Sequence, residues 1–385
     1  MVIRRGFRFK LKTTPDLEAV FRTMVGHARF VWNKALRLNL DRLAQGLPIV
    51  WYNDLCGLLG LWKQSEEYGF LAEANAQALQ QKLRDQDRAF SDAFDRTQPG
   101  RRLPRFKKRG VGDSFRLPQD VKVENRRVFL PKIGWVGFFK SREIIGEIKQ
   151  ATVTREADGW YVSIQTEQEF SEPKLHAGTA IGVDRGVAAF AATSEGELVE
   201  PLNPGAQERR RIARLQRKLA RQRKGSRNRA KTKVKIARLH QRIRCQREDF
   251  LHKVSTPWSK SHALIVLEDL RIGNMTRSAK GTVESPGSHV AQKSGLNRAI
   301  LDQGWGEFGR MLGYKMAERG GRLLLVPPQH SSQECSECGH VAPENRPTRG
   351  LFRCVVCGHT EHADVNAAKV LLRRGLRLLE HQLAG

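Results

Sequence analysis

The first twelve residues alternate between apolar and basic side chains. Phe7, Phe9 and Leu11 fall on one face of an extended chain, and the residues between them are arginine or lysine. A period of two predicts a half-buried strand with a basic exposed face.

A helical pattern follows and continues to about residue 95. Thr14 is placed to cap a helix whose first position is Pro15, a common arrangement at helix starts. Apolar residues three to four positions apart predict one clearly amphipathic helix near the end of this block. Its apolar face contains Leu79, Leu83, Phe90 and Phe94.

The pattern changes again near residue 98. Pro99 and Gly100 predict a loop, and residues 101–109 form a basic run. From about 115 to 168, short β-rich runs alternate with turn residues, which is typical of a small antiparallel barrel. Since the first segment is also a strand, we interpret the helical block as an insertion between it and the barrel.

A second region begins near residue 176. Two strands are predicted at 180–184 and 187–193, and a buried strand at 263–267. Between them, helical spacing on both sides of Gly225 predicts an antiparallel helix pair. Residues 278–295 are rich in serine and glycine and suit either a lid or a plain loop. A helix at 305–319, a strand at 323–326 and a last helix from about 365 complete the pattern.

The net charge of the chain indicates what kind of molecule it binds. The 385 residues contain 68 Lys or Arg and 40 Asp or Glu, a net charge of +28. Residues 206–253 alone hold 19 basic and 3 acidic residues, so +16 lies in this stretch. Such a balance disfavours a generic metabolic enzyme and indicates a polyanionic partner, although a solvated cationic face is the simpler alternative.

No apolar run reaches the roughly 18 residues that a membrane-spanning helix needs, and the N-terminus lacks the apolar run of a signal peptide. We therefore expect a cytoplasmic protein with no membrane partner.

Four of the six cysteines form two pairs. Cys335 and Cys338 are separated from Cys354 and Cys357 by 15 residues. This spacing allows four thiolates to surround one zinc ion, and a closed four-thiolate site is structural rather than catalytic. The alternative is two unrelated thiol pairs.

Three acidic residues sit where elements begin or end. Asp184 and Glu268 each end a hydrophobic strand, and Asp364 precedes the last helix. Carboxylates that converge from separate elements could hold Mg²⁺ for phosphodiester chemistry. Taken singly, Asp184 could be a turn former, Glu268 a solvated acid and Asp364 a helix cap.

These motifs together resemble the TnpB family, transposon-encoded RNA-guided DNA endonucleases related to the type V CRISPR effectors. The resemblance lies in Ile181-Gly182-Val183-Asp184, Glu268-Asp269-Leu270, the two cysteine pairs and Asp364-x-Asn366-Ala367-Ala368. It spans essentially the whole chain. Arg185 and Ala363 depart from residues common in the family, but neither removes an expected ligand.

The resemblance implies an α+β multidomain protein. It contains an RNase H-like RuvC domain with a zinc-ribbon insertion, and a wedge-type β-barrel interrupted by a helical recognition block. The implied segments are the first wedge strand (1–12), the helical block (13–98), the barrel (99–175), the nuclease domain with its basic helix pair (176–330, with 206–253), the zinc module (331–360) and the last nuclease segment (361–385).

The resemblance also assigns roles. Asp184, Glu268 and Asp364 would be catalytic ligands of two Mg²⁺ ions, and one Zn²⁺ would be structural. Tyr52, Gln80 and Gln119 would read a short DNA motif. Residues expected to bind nucleic-acid backbone are Arg101, Arg102, Arg105, Lys107, Lys108, Arg109, Arg221, Arg223, Lys224 and Arg227.

The implied activity is Mg²⁺-dependent cleavage of double-stranded DNA, guided by an RNA from the transposon end and favouring maintenance of the transposon. One protein per guide suffices, and the protein would join the nucleoid when bound to DNA. The alternatives are a guided repressor that binds without cutting, an accessory transposition or transcription factor, and a Holliday-junction resolvase.

Overall fold

A computed structural model describes residues 2–98, 100–169, 176–202 and 206–384. The chain divides into two compact units, Met1–Ser171 and Glu172–Gly385. The loop predicted at Pro99 and the last residues of the predicted 99–175 segment lie outside the described residues. None of the helices in the described ranges is long and apolar enough to cross a membrane.

The first unit contains seven strands, three α-helices and a 3-10 turn among its described residues. The strands are β1 (Val2–Lys10), β2 (Ser114–Leu117), β3 (Lys122–Glu124), β4 (Arg127–Leu130), β5 (Gly134–Gly137), β6 (Glu147–Glu156) and β7 (Gly159–Glu169). The helices are α1 (Pro15–Ala44), α2 (Tyr52–Gln64) and α3 (Ala76–Phe94), and the 3-10 turn is Gly69–Glu73.

These strands form two antiparallel sheets. One has the order β1-β7-β6-β2 and the other the order β3-β4-β5. β1 pairs with β7 along its whole length, with Phe7 opposite Ile164. The helices therefore lie, in sequence, between strands of one sheet.

The core of the first unit joins helix α1 to the larger sheet. The Phe21 ring lies 5.1 Å from that of Trp160 and 5.9 Å from that of Phe115, and all three side chains are buried. Thr14 caps α1 by accepting from the backbone N–H of Leu17, as predicted. Phe94 was predicted on the apolar face of α3 but is 47 % exposed, because it lies in the last helical position, beyond the reach of the core.

The second unit is built on a five-stranded mixed sheet. Its strands are β8 (Thr179–Arg185), β9 (Ala191–Thr193), β10 (Leu198–Val199), β11 (His262–Glu268) and β12 (Arg322–Val326), in the order β10-β9-β8-β11-β12. A short hairpin, β13 (Leu351–Arg353) and β14 (Thr360–His362), follows. The helices are α4 (Ala206–Arg221), α5 (Arg227–Ser261), α6 (Ile272–Met275), α7 (Val290–Gln303), α8 (Trp305–Glu318) and α9 (Ala363–Ala384).

Two sequence predictions need correction here. The strand expected at 187–193 covers only Ala191–Thr193, because the chain bends at 187–190 and the N–H of Gly186 donates to the carbonyl of Phe190 across the bend. The loop expected at 278–295 ends at His289, where α7 begins.

Glycines allow α9 to lie directly on the sheet. A Cβ at Gly182 in β8 would come within 2.1 Å of the carbonyl oxygen of Ala368. A Cβ at Gly375 would come within 2.4 Å of Val266 in β11. Since α9 begins at Ala363, these contacts fix the position of the helix start relative to the ends of β8 and β11.

We expect Gly182→Ala to destabilise the protein by about 1–3 kcal/mol, because the added methyl group overlaps the backbone of α9. The measurement is urea unfolding of the full chain. Gly295→Ala is the matched control, since a Cβ there meets nothing within 4 Å and alanine favours the helix. An unchanged midpoint for Gly182→Ala would contradict the close packing of α9.

Candidate metal centres

Asp184 and Glu268 meet at the ends of two neighbouring parallel strands. Val183 in β8 is paired with Leu267 in β11, so the next residue of each strand is an acid at the same edge of the sheet. Glu268 is 7 % exposed, and its Oε1 accepts from the hydroxyl of Ser331 over 3.1 Å.

The third predicted acid approaches from helix α9. Asp364 lies in the first turn of α9, and its negative charge raises the pKa of Asp184. Its Oδ1 accepts a hydrogen bond from Arg346 over 3.2 Å. The structure therefore brings all three predicted acids into one neighbourhood, with Asp184 close to both of the others.

Burial and like charge act together at this site. Burial, then the charges of Glu268 and Asp364, raise the pKa of Asp184 well above its usual range. Burial also raises the pKa of Glu268, against the opposing effects of Ser331 and Arg185. Carboxylates held this way favour either a proton or a cation between them.

Arg185 lies inside the site, where its long cationic side chain was expected to alter the geometry beside the acids. Its side chain is 8 % exposed, and its guanidinium donates to the backbone carbonyl of Glu268 and, over 3.4 Å, to that of Trp305. Its charge lowers the pKa of both Asp184 and Glu268. Because it binds main-chain oxygens, it leaves the carboxylate oxygens of the strand ends available.

The donor set fits a hard divalent cation. Carboxylate oxygens are the preferred ligands of Mg²⁺, which keeps several waters and needs only a few protein ligands. The three acids do not form a group whose ligand atoms all lie within 4.8 Å of one another.

The four cysteines do form such a group. Among the described residues, they are the only three or more candidate ligands whose atoms all lie within 4.8 Å. The sulfur atoms of Cys335 and Cys357 are 3.6 Å apart, and those of Cys338 and Cys354 are 3.5 Å apart. Zinc–sulfur bonds of ~2.3 Å in a tetrahedron require about 3.8 Å between sulfurs, so this cluster could bind zinc.

Each cysteine pair is closed by the same turn. Gly339 donates to the carbonyl of Cys335 and Gly358 to that of Cys354, both over 3.0 Å. The two glycines have φ of 78° and 74°, in the region that side chains rarely adopt. Each cysteine pair therefore ends in a tight turn that needs glycine.

The cysteine cluster is attached to the helix that holds Asp364. Asn366, fully buried, donates to the carbonyl of Glu334 over 2.8 Å and accepts from the backbone N–H of Ser336 over 3.0 Å. On the other side, β14 continues directly into α9. A metal ion in the cluster would therefore fix the first turn of α9 from two directions.

The predicted backbone-binding residues lie at the surface in two groups. In the first unit, Lys107 is half-buried and the rest of its group is exposed: Arg101, Arg102, Arg105, Lys108 and Arg109. In the second unit, Arg221, Arg223, Lys224 and Arg227 are exposed around the turn between α4 and α5.

Two of the predicted motif-reading residues lie on adjoining helices. Tyr52 begins α2, and Gln80 is half-buried on α3. Arg84, one turn after Gln80, stacks 4.7 Å from the Tyr52 ring and was missed by sequence analysis, although its spacing from Gln80 was a usable signal. Gln119 is exposed in the loop after β2, and no contact links it to the other two.

Three family models match the chain. One described as "Probable transposase" matches residues 163–279, one described as "Cas12f1-like, TNB domain" matches 305–371, and one described as "Helix-turn-helix domain" matches 1–47. In the last range the structure has a strand followed by one long helix, β1 and α1, so that description does not fit the local structure.

Curated relatives match over nearly the whole length. "Putative RNA-guided DNA endonuclease InsQ" of Escherichia coli K12 is 45 % identical over 97 % of this chain and 93 % of its own. "Putative RNA-guided DNA endonuclease" of Streptomyces pristinaespiralis is 30 % identical over 97 % and 90 %.

Among solved structures, "Structure of the mini-RNA-guided endonuclease CRISPR-Cas_phi3" covers 97 % of this chain and 92 % of its own, at 10 % identity and a TM-score of 0.46. A likeness at that level carries no argument about function.

The sequence matches define a class of transposon-associated proteins. The chain belongs to the TnpB family, which confirms the resemblance that its motifs carried.

We expect the purified protein to bind one Co²⁺ in the cysteine cluster, with the visible absorption of a tetrahedral thiolate site. Cys354→Ser should weaken this binding by at least about 100-fold, because it removes a ligand. Cys245→Ser, an exposed thiol outside the cluster, is the control and should bind normally. Equal Co²⁺ spectra for both variants would show that the cluster is not the metal site.

Proposed function

We propose that this protein is an RNA-guided, Mg²⁺-dependent endonuclease that cuts double-stranded DNA beside a short motif read by the protein. The observation that carries the proposal is the convergence of Asp184, Glu268 and Asp364 in a strongly basic chain. Buried acids would repel a phosphate backbone unless a cation lay between them. The names of the matching relatives support the RNA-guided part.

The strand arrangement of the second unit supports an RNase H-like RuvC domain. The chain runs through three antiparallel strands, β8, β9 and β10, and then adds β11 and β12 parallel to β8. The acids stand at one edge of the two central strands and at the start of the helix packed on them. In this assignment the cysteine cluster is a zinc-bearing insertion before the last helix.

The two sheets of the first unit support the wedge-type barrel. A bridge between Leu11 and Phe138 connects the end of β1 to the chain after β5, so the smaller sheet adjoins the larger one. In this proposal α1–α3 form the recognition block, and Tyr52 and Gln80 read the DNA motif. Glutamine suits adenine and tyrosine suits stacking or phosphate, while Arg84 holds the Tyr52 ring in place.

The site residues have distinct roles in cleavage. Asp184, Glu268 and Asp364 would hold Mg²⁺, and Arg185 would hold the strand ends that carry the first two acids. Bound Mg²⁺ supplies water activation and neutralises the charge that develops on the scissile phosphate. Ser331 orients the Glu268 carboxylate and Arg346 orients that of Asp364, each by one hydrogen bond.

Guide and target would be held by backbone contacts. The exposed arginines and lysines of residues 101–109 and of the α4–α5 turn offer positive charge to phosphates. We assign them no hydrogen bonds to base edges. An RNA–DNA heteroduplex is recognised through its phosphates and A-form shape, which suits such surfaces. The guide itself would be an RNA transcribed from the end of the transposon.

The test is plasmid cleavage in Mg²⁺ by protein purified with RNA from its own element. The target carries a guide match beside randomised bases. We expect cutting next to one short motif, and we expect Asp184→Ala to reduce the rate by at least about 100-fold because an electrostatic group is removed from the reaction centre.

Asp249→Ala is the control, since Asp249 is an exposed acid that pairs only with Lys253 on the same helix face. It should cut at the normal rate. If the intact complex bound matched DNA without cutting it, a guided repressor would replace the nuclease. If no defined RNA copurified, an accessory transposition factor would replace both.

A further inference from the structure

A narrow cleft in the first unit is surrounded by basic side chains from several elements. Arg29 reaches it from α1, Lys82 from α3, and Lys107 and Lys108 from the basic run. Gly112, Asp113 and Ser114 close its remaining side. Of these cations, only Lys107 and Lys108 are among the predicted nucleic-acid contacts.

The basic run is fastened to α1 so that Lys107 faces inward. Asn33 donates from Nδ2 to the carbonyl of Lys107 over 3.1 Å and accepts from its N–H over 2.8 Å. The Trp32 indole donates to the carbonyl of Arg105 over 3.0 Å. The Nζ of Lys107 then lies 3.7 Å from the centre of the Trp32 ring.

Few acids neutralise this cluster among the described residues. Asp85 is shared by Lys82, 3.7 Å away, and by Arg116. Asp113 lies 3.6 Å from Arg29. Lys107 has no carboxylate within ion-pair distance in the described ranges. The two carboxylates are therefore shared among four buried or partly buried cations, which are Arg29, Lys82, Lys107 and Arg116.

Burial and neighbouring positive charge act on the lysines of the cleft. Burial, then the charge of Lys82, lower the pKa of Lys107 to about 8, and the carboxylate of Asp85 opposes part of this effect. Burial also lowers the pKa of Lys82, which is 7 % exposed. Buried ammonium groups without enough counter-charge cost stability, and an anion between them would recover it.

We propose that Arg29, Lys82 and Lys107 form a site at the mouth of this cleft for one phosphodiester group of a bound nucleic acid. The cleft itself, at about 10 Å³, has room for no more than one water molecule. The inference rests on the proposed function for the identity of its ligand, but the site itself is defined by this charge imbalance. It differs from the exposed basic surfaces because its cations are held in place by α1, α3 and the fastened chain before the ligand arrives.

The test uses the full-length protein and two variants, Lys82→Met and Lys107→Met, which keep the length of the side chain and remove its charge. The control is Lys122→Met, an exposed lysine on β3. The first probe is inorganic phosphate, and the readout is its effect on Tm relative to chloride at the same ionic strength. We expect phosphate to raise the Tm of the intact protein and of the control more than that of either variant.

The second probe is nucleic acid, with the element-end RNA and a target DNA duplex titrated separately at several KCl concentrations. Loss of one phosphate contact lowers the slope of log K against log salt by about 0.9 for a duplex and about 0.7 for a single strand. We expect both variants to show this smaller slope and an affinity for nucleic acid reduced about fivefold to tenfold. The nucleic acid whose slope changes, RNA, DNA or both, is the one that supplies the phosphate.

A stability measurement separates binding from a structural role. Without ligand, Lys82→Met should have an equal or higher Tm than the intact protein, because it removes a repelled charge while Asp85 keeps Arg116. A lower Tm with unchanged salt slopes for both variants would overturn the proposal, as would an equal phosphate effect in all four proteins. If phosphate raised the Tm of only the intact protein and the control, and no RNA bound, the phosphate site would stand. The guided function would then be contradicted.

Discussion

The pairing of β8 with β11 is the constraint on which the site depends. Because Val183 is opposite Leu267, the next residue of each strand is an acid at the same edge of the sheet, and the two acids are forced together. Their repulsion, increased by burial and by Asp364, must be balanced by positive charge. Arg185 balances part of it, and its guanidinium ties β8 to the end of β11 by donating to the main-chain oxygen of Glu268.

The start of α9 depends on two further contacts of different kinds. Gly182 and Gly375 let the helix approach the sheet closely, and Asn366 joins its first turn to the first cysteine pair. The cysteine cluster thus orients the helix that presents Asp364 beside the two strand-end acids. Arg346, from the chain between the cysteine pairs, contacts that carboxylate directly.

Much of this arrangement is predictable from sequence because it follows from local patterns. A hydrophobic run that ends in an acid located Asp184 and Glu268 at strand ends, and the cysteine spacing located the second metal centre. The helix pair α4–α5 and the capped start of α1 were predictable for the same reason, since each follows from residues that are close together in the sequence. The inward direction of Arg185 and the clustering of Lys82 with Lys107 depend on contacts between residues distant in sequence, so periodicity could not predict them.

Divalent-cation binding at the three acids tests the account most directly. Mn²⁺ binding to the intact protein, followed by electron paramagnetic resonance in the presence of zinc, should be saturable, and Asp184→Asn should weaken it by at least about tenfold, because that carboxylate lies between the other two. Equal Mn²⁺ affinity in the intact protein and Asp184→Asn would contradict the assignment of this site.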